Sequence, residues 1–137
     1  MKIYFAASIR AGRKRVNDYG KIINHLKNYG SVLTEHVGNK RLSSYGSSAS
    51  SESVHDNDLK MLMASDVIVA EVSVPSLGVG YELAKAEDKN KMILCLYRKE
   101  KGKRLSAMIG GSRKIKVASY DKLDEALGHI DNFMKKL

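Results

Sequence analysis

The chain has 137 residues, 43% of them hydrophobic and 28% charged, with 24 Lys and Arg against 15 Asp and Glu for a net charge of +9. That is enough chain for one domain, residues 1–137, with a single buried core and the composition of a soluble globular protein. No apolar run is long enough to cross a bilayer, one cysteine excludes an internal disulfide, and the N-terminus has no signal-peptide layout, so a cytoplasmic location is expected.

Taken in chain order, five short apolar runs alternate with helical patterns. Residues 2–7, KIYFAA, read as a first strand. Val16, Tyr19, Ile22, Ile23 and Leu26 then recur at helical spacing within 13–29, and Gly30 is placed to stop that helix. SVLTEHV, 31–37, reads as a second strand, and the Ser- and Gly-rich stretch 38–53 as a loop longer than most connections. A helix over 54–65 follows, with Asp56 placed to cap it and Leu59, Leu62 and Met63 as its buried stripe.

The run DVIVAEV, 66–72, is apolar enough at its centre for a strand covered on both faces, and Asp66 at its start reads as structural. A helix over about 79–89, a strand at 91–97, a short apolar segment at 105–110, a strand at 115–120 and an amphipathic helix over 121–137 complete the series. Cys95 lies inside the fourth strand and reads as a core thiol. The alternation predicts one Rossmann-like or flavodoxin-like α/β domain, a five-stranded, mostly parallel sheet with helices on both faces. In the strand order 2-1-3-4-5, ligands sit beyond the carboxyl ends of strands 1 and 3. Two turns meet there: SIRAGR, 8–13, and VPSLGVGYE, 74–82.

Ser8, Gly12, Arg10 and Arg13 offer a hydroxyl, a flexible turn and two guanidinium groups, which suits a phosphate; a plain turn with surface arginines reads equally well. In the second turn, Ser76 adds a hydroxyl, while Gly78 and Gly80 let a ligand approach the backbone. Glu82 is expected in the first turn of its helix, kept ionised by the helix dipole. It is either an ordinary helix-start acid or a nucleophile. Asp58 supplies a second carboxylate, the minimum for glycosyl chemistry. His36 and His55 lack partners at ligand spacing, so no metal or other cofactor is expected.

The segments YFAASIRAGR, VLTEHV, DLKMLMASDVIVAEVSVPSLGVGYELAKA, ILCLYR and LSAMI, in this order, resemble the 2′-deoxynucleoside 5′-monophosphate N-glycosidases, the Rcl-like family within the nucleoside 2-deoxyribosyltransferase superfamily. The resemblance covers nearly the whole chain. It implies that Glu82 is the nucleophile, Asp58 its assisting acid and Tyr4 a catalytic tyrosine near the sugar. It also implies a phosphate pocket of Ser8, Arg10, Ser76 and Ser106 with the backbone of Ala7, Ile9, Ala11, Gly12 and Arg13 around it, and Tyr19, His36 and Gly78 lining the nucleotide site. Ala7 and Ala11 stand where the family turn usually has glycine. The family forms homodimers in which the segment matching Ser106, Ala107 and Met108 enters the neighbouring site. The function so implied is hydrolysis of a deoxynucleoside monophosphate to free base and 2-deoxyribose 5-phosphate. Transfer of the sugar to another base, a non-catalytic nucleotide-binding module, and nucleic-acid binding driven by the positive charge stand as alternatives.

Overall fold

The structure, a computed structural model, describes residues 1–9, 15–38 and 49–137. Arg10, Ala11, Gly12 and Arg13, with most of the expected 38–53 loop, lie outside the described residues. The elements are β1 (Lys2–Ala7), α1 (Val16–Leu26), β2 (Ser31–Val32), a 3-10 turn (Glu35–Gly38), α2 (Ser51–Ala64), β3 (Val67–Glu71), α3 (Leu77–Asp88), β4 (Met92–Arg98), the short α4 (Ala107–Gly110), β5 (Ile115–Tyr120) and α5 (Leu123–Met134). The five strands pair in the order β2-β1-β3-β4-β5, and every pair is parallel.

Alternation along the strands divides the core between the two faces. Ile3, Phe5, Val67, Val69, Leu94 and Leu96 face α1 and α5, where Ile22, Leu26, Ile130 and Phe133 meet them. Tyr4, Ala6, Ile68, Ala70, Ile93 and Cys95 face α2 and α3, against Leu62, Val79 and Leu83. Cys95 is buried and its thiol is pushed up to about 12 by burial, as befits a core residue.

Four local expectations differ. The second strand ends at Val32 rather than 37, because the Thr34 side chain takes over the pairing. Its hydroxyl accepts from the Phe5 N–H at 2.8 Å and donates to the Phe5 carbonyl at 2.7 Å, which frees the backbone to turn and carries His36 outward. Helix α1 stops at Leu26, three residues before Gly30 comes into reach. Gly30 is required instead by packing: a Cβ there would lie 2.1 Å from the Met1 carbonyl oxygen. Helix α2 begins at Ser51 and is capped by Ser50, whose Oγ accepts from the Ser53 N–H at 3.2 Å, so Asp56 is not its cap. Met63 is exposed, and Leu62 is the buried residue of that helix. Asp66 is structural as expected, its Oδ2 accepting from the Lys2 N–H at 2.7 Å.

Candidate active site

Three elements on one side of the sheet bring together Tyr4, Asp58 and Glu82. Tyr4 projects from β1 toward α3, its ring in the core. Glu82 lies in the second turn of α3, because that helix starts at Leu77, two residues earlier than its sequence pattern suggests. The helix dipole therefore does not set its charge state. The Tyr4 hydroxyl is near enough to the Glu82 carboxylate to favour its charged form, and Asp58 is close enough for its charge to act on both.

Electrostatics give each group a distinct character. Burial, then repulsion from Asp58, raises Glu82 to about 7, while the Tyr4 hydroxyl opposes the rise. Burial also raises Asp58, and His36 and His55 pull it back toward the ordinary carboxylate range. Tyr4 is driven far above the usual phenol range, first by burial and then by the two carboxylates, so it remains a neutral donor. Sequence reasoning assigned no such part to His55. It stands one helical turn before Asp58, and its Nε2 lies 3.2 Å from the Tyr81 hydroxyl. That spacing was the signal that could have found it.

The candidate phosphate groups lie just beyond. Ser8 directly follows the last residue of β1; it is fully buried, and among the described residues its Oγ has no hydrogen-bond partner. Ser76 caps α3, its Oγ accepting from the Val79 N–H at 3.3 Å. A Cβ on Gly78 would come no nearer than 3.8 Å, to the Ser76 hydroxyl, and one on Gly80 would meet nothing, so that flank of the helix is open. Ala7, Ile9 and Tyr19 belong to the opposite core, Tyr19 making an edge contact with Phe5 at 6.1 Å between ring centroids. Their side chains do not join the Tyr4 group.

Ser106, Ala107 and Met108 are exposed at the start of α4. Ser106 and Met108 line a groove of about 580 Å³ with Ser76, Leu77, Gly80, Leu83 and Ile109. This groove takes one wall from Gly80, Leu83 and Ala84 of α3 and is not lined by Tyr4, Asp58 or Glu82. Among the described residues no group of three or more His, Cys, Asp or Glu is arranged to hold a metal ion.

A parallel sheet covered on both faces, with a buried tyrosine beside two carboxyl groups whose neutral forms burial favours, suits an α/β enzyme of the acid–base or glycosyl-transfer kind. The nucleoside 2-deoxyribosyltransferase family model matches residues 3–134, and the chain belongs to that family. It is 50% identical over 134 residues, 96% of this chain and 91% of the relative, to the putative 2′-deoxynucleoside 5′-phosphate N-hydrolase 1 of Trichoplax adhaerens. To the 5-hydroxymethyl-dUMP N-hydrolase of Danio rerio it is 49% identical over 141 residues, covering all of this chain and 98% of that one. The chain is thus an N-glycosidase. Its fold resembles the solved structures of BlsM, with a TM-score of 0.78 at 18% identity over 98% of this chain and 90% of that one, and of the Clostridium botulinum CMP N-glycosidase BcmB, with 0.71 at 18% over 96% and 99%.

Proposed function

We propose that the protein hydrolyses the N-glycosidic bond of 2′-deoxynucleoside 5′-monophosphates, releasing free base and 2-deoxyribose 5-phosphate. The observation that carries this reading is the gathering of Tyr4 of β1, Asp58 of α2 and Glu82 of α3, near enough for each to act on the charge of its neighbours. Its relatives' names, which specify deoxynucleoside 5′-phosphates and 5-hydroxymethyl-dUMP, favour the same substrate class.

In this reading the Glu82 carboxylate attacks C1′, and the base leaves with the electrons of the C1′–N bond. Asp58, whose burial favours its protonated form, supplies the proton that the departing base needs. Water then attacks C1′, releasing Glu82 as a carboxylate, and returns a proton to Asp58. The missing 2′-hydroxyl of a deoxyribose makes positive charge at C1′ easier to develop. Ser8, Arg10 and Ser76 hold the 5′-phosphate, and their binding energy orients the sugar for attack.

Two copies of the chain complete the unit. Leu77 is 96% exposed and Met108 84% exposed, both on the rim of the apolar groove that contains Ser106. A second copy covers this face and offers its own Ser106 and Met108 to the phosphate end of the neighbouring site.

The test is to incubate the protein with a panel of deoxy- and ribonucleoside monophosphates, and with the matching nucleosides, and to assay free base and sugar phosphate. Loss of activity in Glu82→Ala is expected; a normal rate of base release from that variant would sink the assignment. The family's transferase name favours one second reading, transfer of the sugar to another base. Adding an acceptor base and looking for the exchanged nucleotide separates the two.

A further inference from the structure

The sheet face turned away from Tyr4 carries a polar cluster that the proposed chemistry does not use. Glu71, the last residue of β3, is fully buried on the side of α1 and α5. Its Oε1 accepts hydrogen bonds from the Ser73 N–H at 3.1 Å, from the Ser73 hydroxyl and from the Tyr120 hydroxyl at 3.4 Å. Ser73 Oγ in turn accepts from the Arg98 N–H at 2.7 Å. The other carboxylate oxygen, Oε2, is buried and has no hydrogen-bond partner among the described residues.

Arg15 is the positive charge acting on this group. It immediately precedes α1, it draws Glu71 down against the rise that burial causes, and its Nη2 pairs with Glu100 on the loop leaving β4. Among the described residues its buried Nη1 has no hydrogen-bond partner. A second ion pair, Arg98 Nη1 to Asp18 Oδ2 at 3.7 Å, joins the same two elements in the opposite sense. The start of α1 is therefore clamped twice to the exit of β4, across a buried carboxylate.

In the chain, Arg15 closes the segment that opens at Ser8, and Glu100 opens the segment that leads to Ser106. Both segments are those assigned to the phosphate. A purely structural cluster would pair its buried polar atoms; here, among the described residues, one carboxylate oxygen and one guanidinium nitrogen are left unsatisfied, an arrangement that calls for another reason.

We propose that Arg15 is a positioning residue for 5′-phosphate recognition: held between Glu71 and Glu100, it fixes the start of α1 relative to the β4 exit. The inference rests on the phosphate-binding reading above. Arg15→Met, Arg15→Lys and Glu100→Gln test it, assayed for kcat and KM on a deoxynucleotide and on the same deoxynucleoside without phosphate, and for inorganic phosphate binding by calorimetry.

Arg15→Met is expected to raise KM for the deoxynucleotide about tenfold, to weaken phosphate binding by a similar factor and to hold kcat within about twofold. Arg15→Lys, which keeps the charge, restores most of the loss. Equal falls in kcat/KM on both substrates, or unchanged phosphate affinity, would overturn the proposal, as would a wild-type protein that binds no phosphate. Should Arg15→Met fail to fold, Glu100→Gln carries the same comparison, with a smaller change in the same direction. If the wild type binds phosphate but cleaves no nucleotide, the hydrolase reading falls and the phosphate affinities still decide on Arg15.

Discussion

Tyr4 of the first strand favours the charged form of Glu82 on the third helix, and so opposes both forces that push that carboxyl toward its neutral form. Burial and Asp58 raise the carboxylate to about 7, close to neutral pH. In the nucleophilic role proposed for it, a group poised there is reactive once ionised and still half-ionised under ordinary conditions.

Removing the phenol oxygen moves the titration. In Tyr4→Phe, the acidic limb of kcat/KM against pH is expected to shift upward from about 7, since the hydroxyl that lowers Glu82 is lost. The rate loss is then several-fold at pH about 6.5 and smaller near pH 8.5, because activity on that limb falls about tenfold per pH unit. A uniform loss at every pH would assign Tyr4 to contact with the sugar instead.

Stability moves in the opposite direction to activity. Glu82 has a folded value raised above its ordinary 4.5, so between 4.5 and about 7 the folded state binds more protons than the unfolded one, and stability falls as pH rises through that window. Glu82→Gln, which cannot ionise, escapes this loss. Its melting temperature is expected to exceed that of the wild type at pH 8 and to match it near pH 4.5. A difference independent of pH would place the effect in packing.

Ser8→Ala separates binding from folding. The hydroxyl is buried and unpaired among the described residues, so its removal is expected to leave the ligand-free protein as stable or more so, by up to about 1–2 kcal/mol. The same change is expected to raise KM for the deoxynucleotide at least several-fold. A destabilised variant with unaltered KM would mark Ser8 as a framework residue. Thermal melts and initial rates decide.

Pairing of two copies has its own test. Leu77→Glu or Met108→Glu puts a charge on the exposed apolar rim and is expected to yield monomers by light scattering. If Ser106 serves the neighbouring site, mixing Glu82→Gln chains with Ser106→Trp chains restores about a quarter of the wild-type rate, from one intact site in half of the dimers. No recovery on mixing would return Ser106 to its own subunit.

The sheet was legible because its signals are local and redundant: five apolar runs, each followed by a helical period, leave few topologies open. Glu82 and Asp58 stand out in the sequence as candidate carboxylates, spacing alone leaving Glu82 ambiguous, while Tyr4 is singled out by resemblance. Its charge state was misread, because burial depends on what packs over α3 and not on position along the helix. The short β2 was hidden for a similar reason. Thr34 looks like any β-former, and only its meeting with the Phe5 backbone turns its hydroxyl into a substitute strand partner. Glu71 sat in an apolar run that reads as strand whatever its fifth residue is, and the groups acting on it come from three separate segments of chain.

Strand β1 sends Tyr4 and Ala6 to one face and Phe5 and Ala7 to the other, and Ser8 follows directly on its last residue. A single-residue insertion or deletion between positions 4 and 8 would keep the hydrophobic content yet reverse the faces of the residues beyond it relative to Tyr4. Length, more than composition, is what this strand must keep through evolution or library design. Substitutions within it cost packing one contact at a time, whereas a frame change of one residue would separate sugar from phosphate.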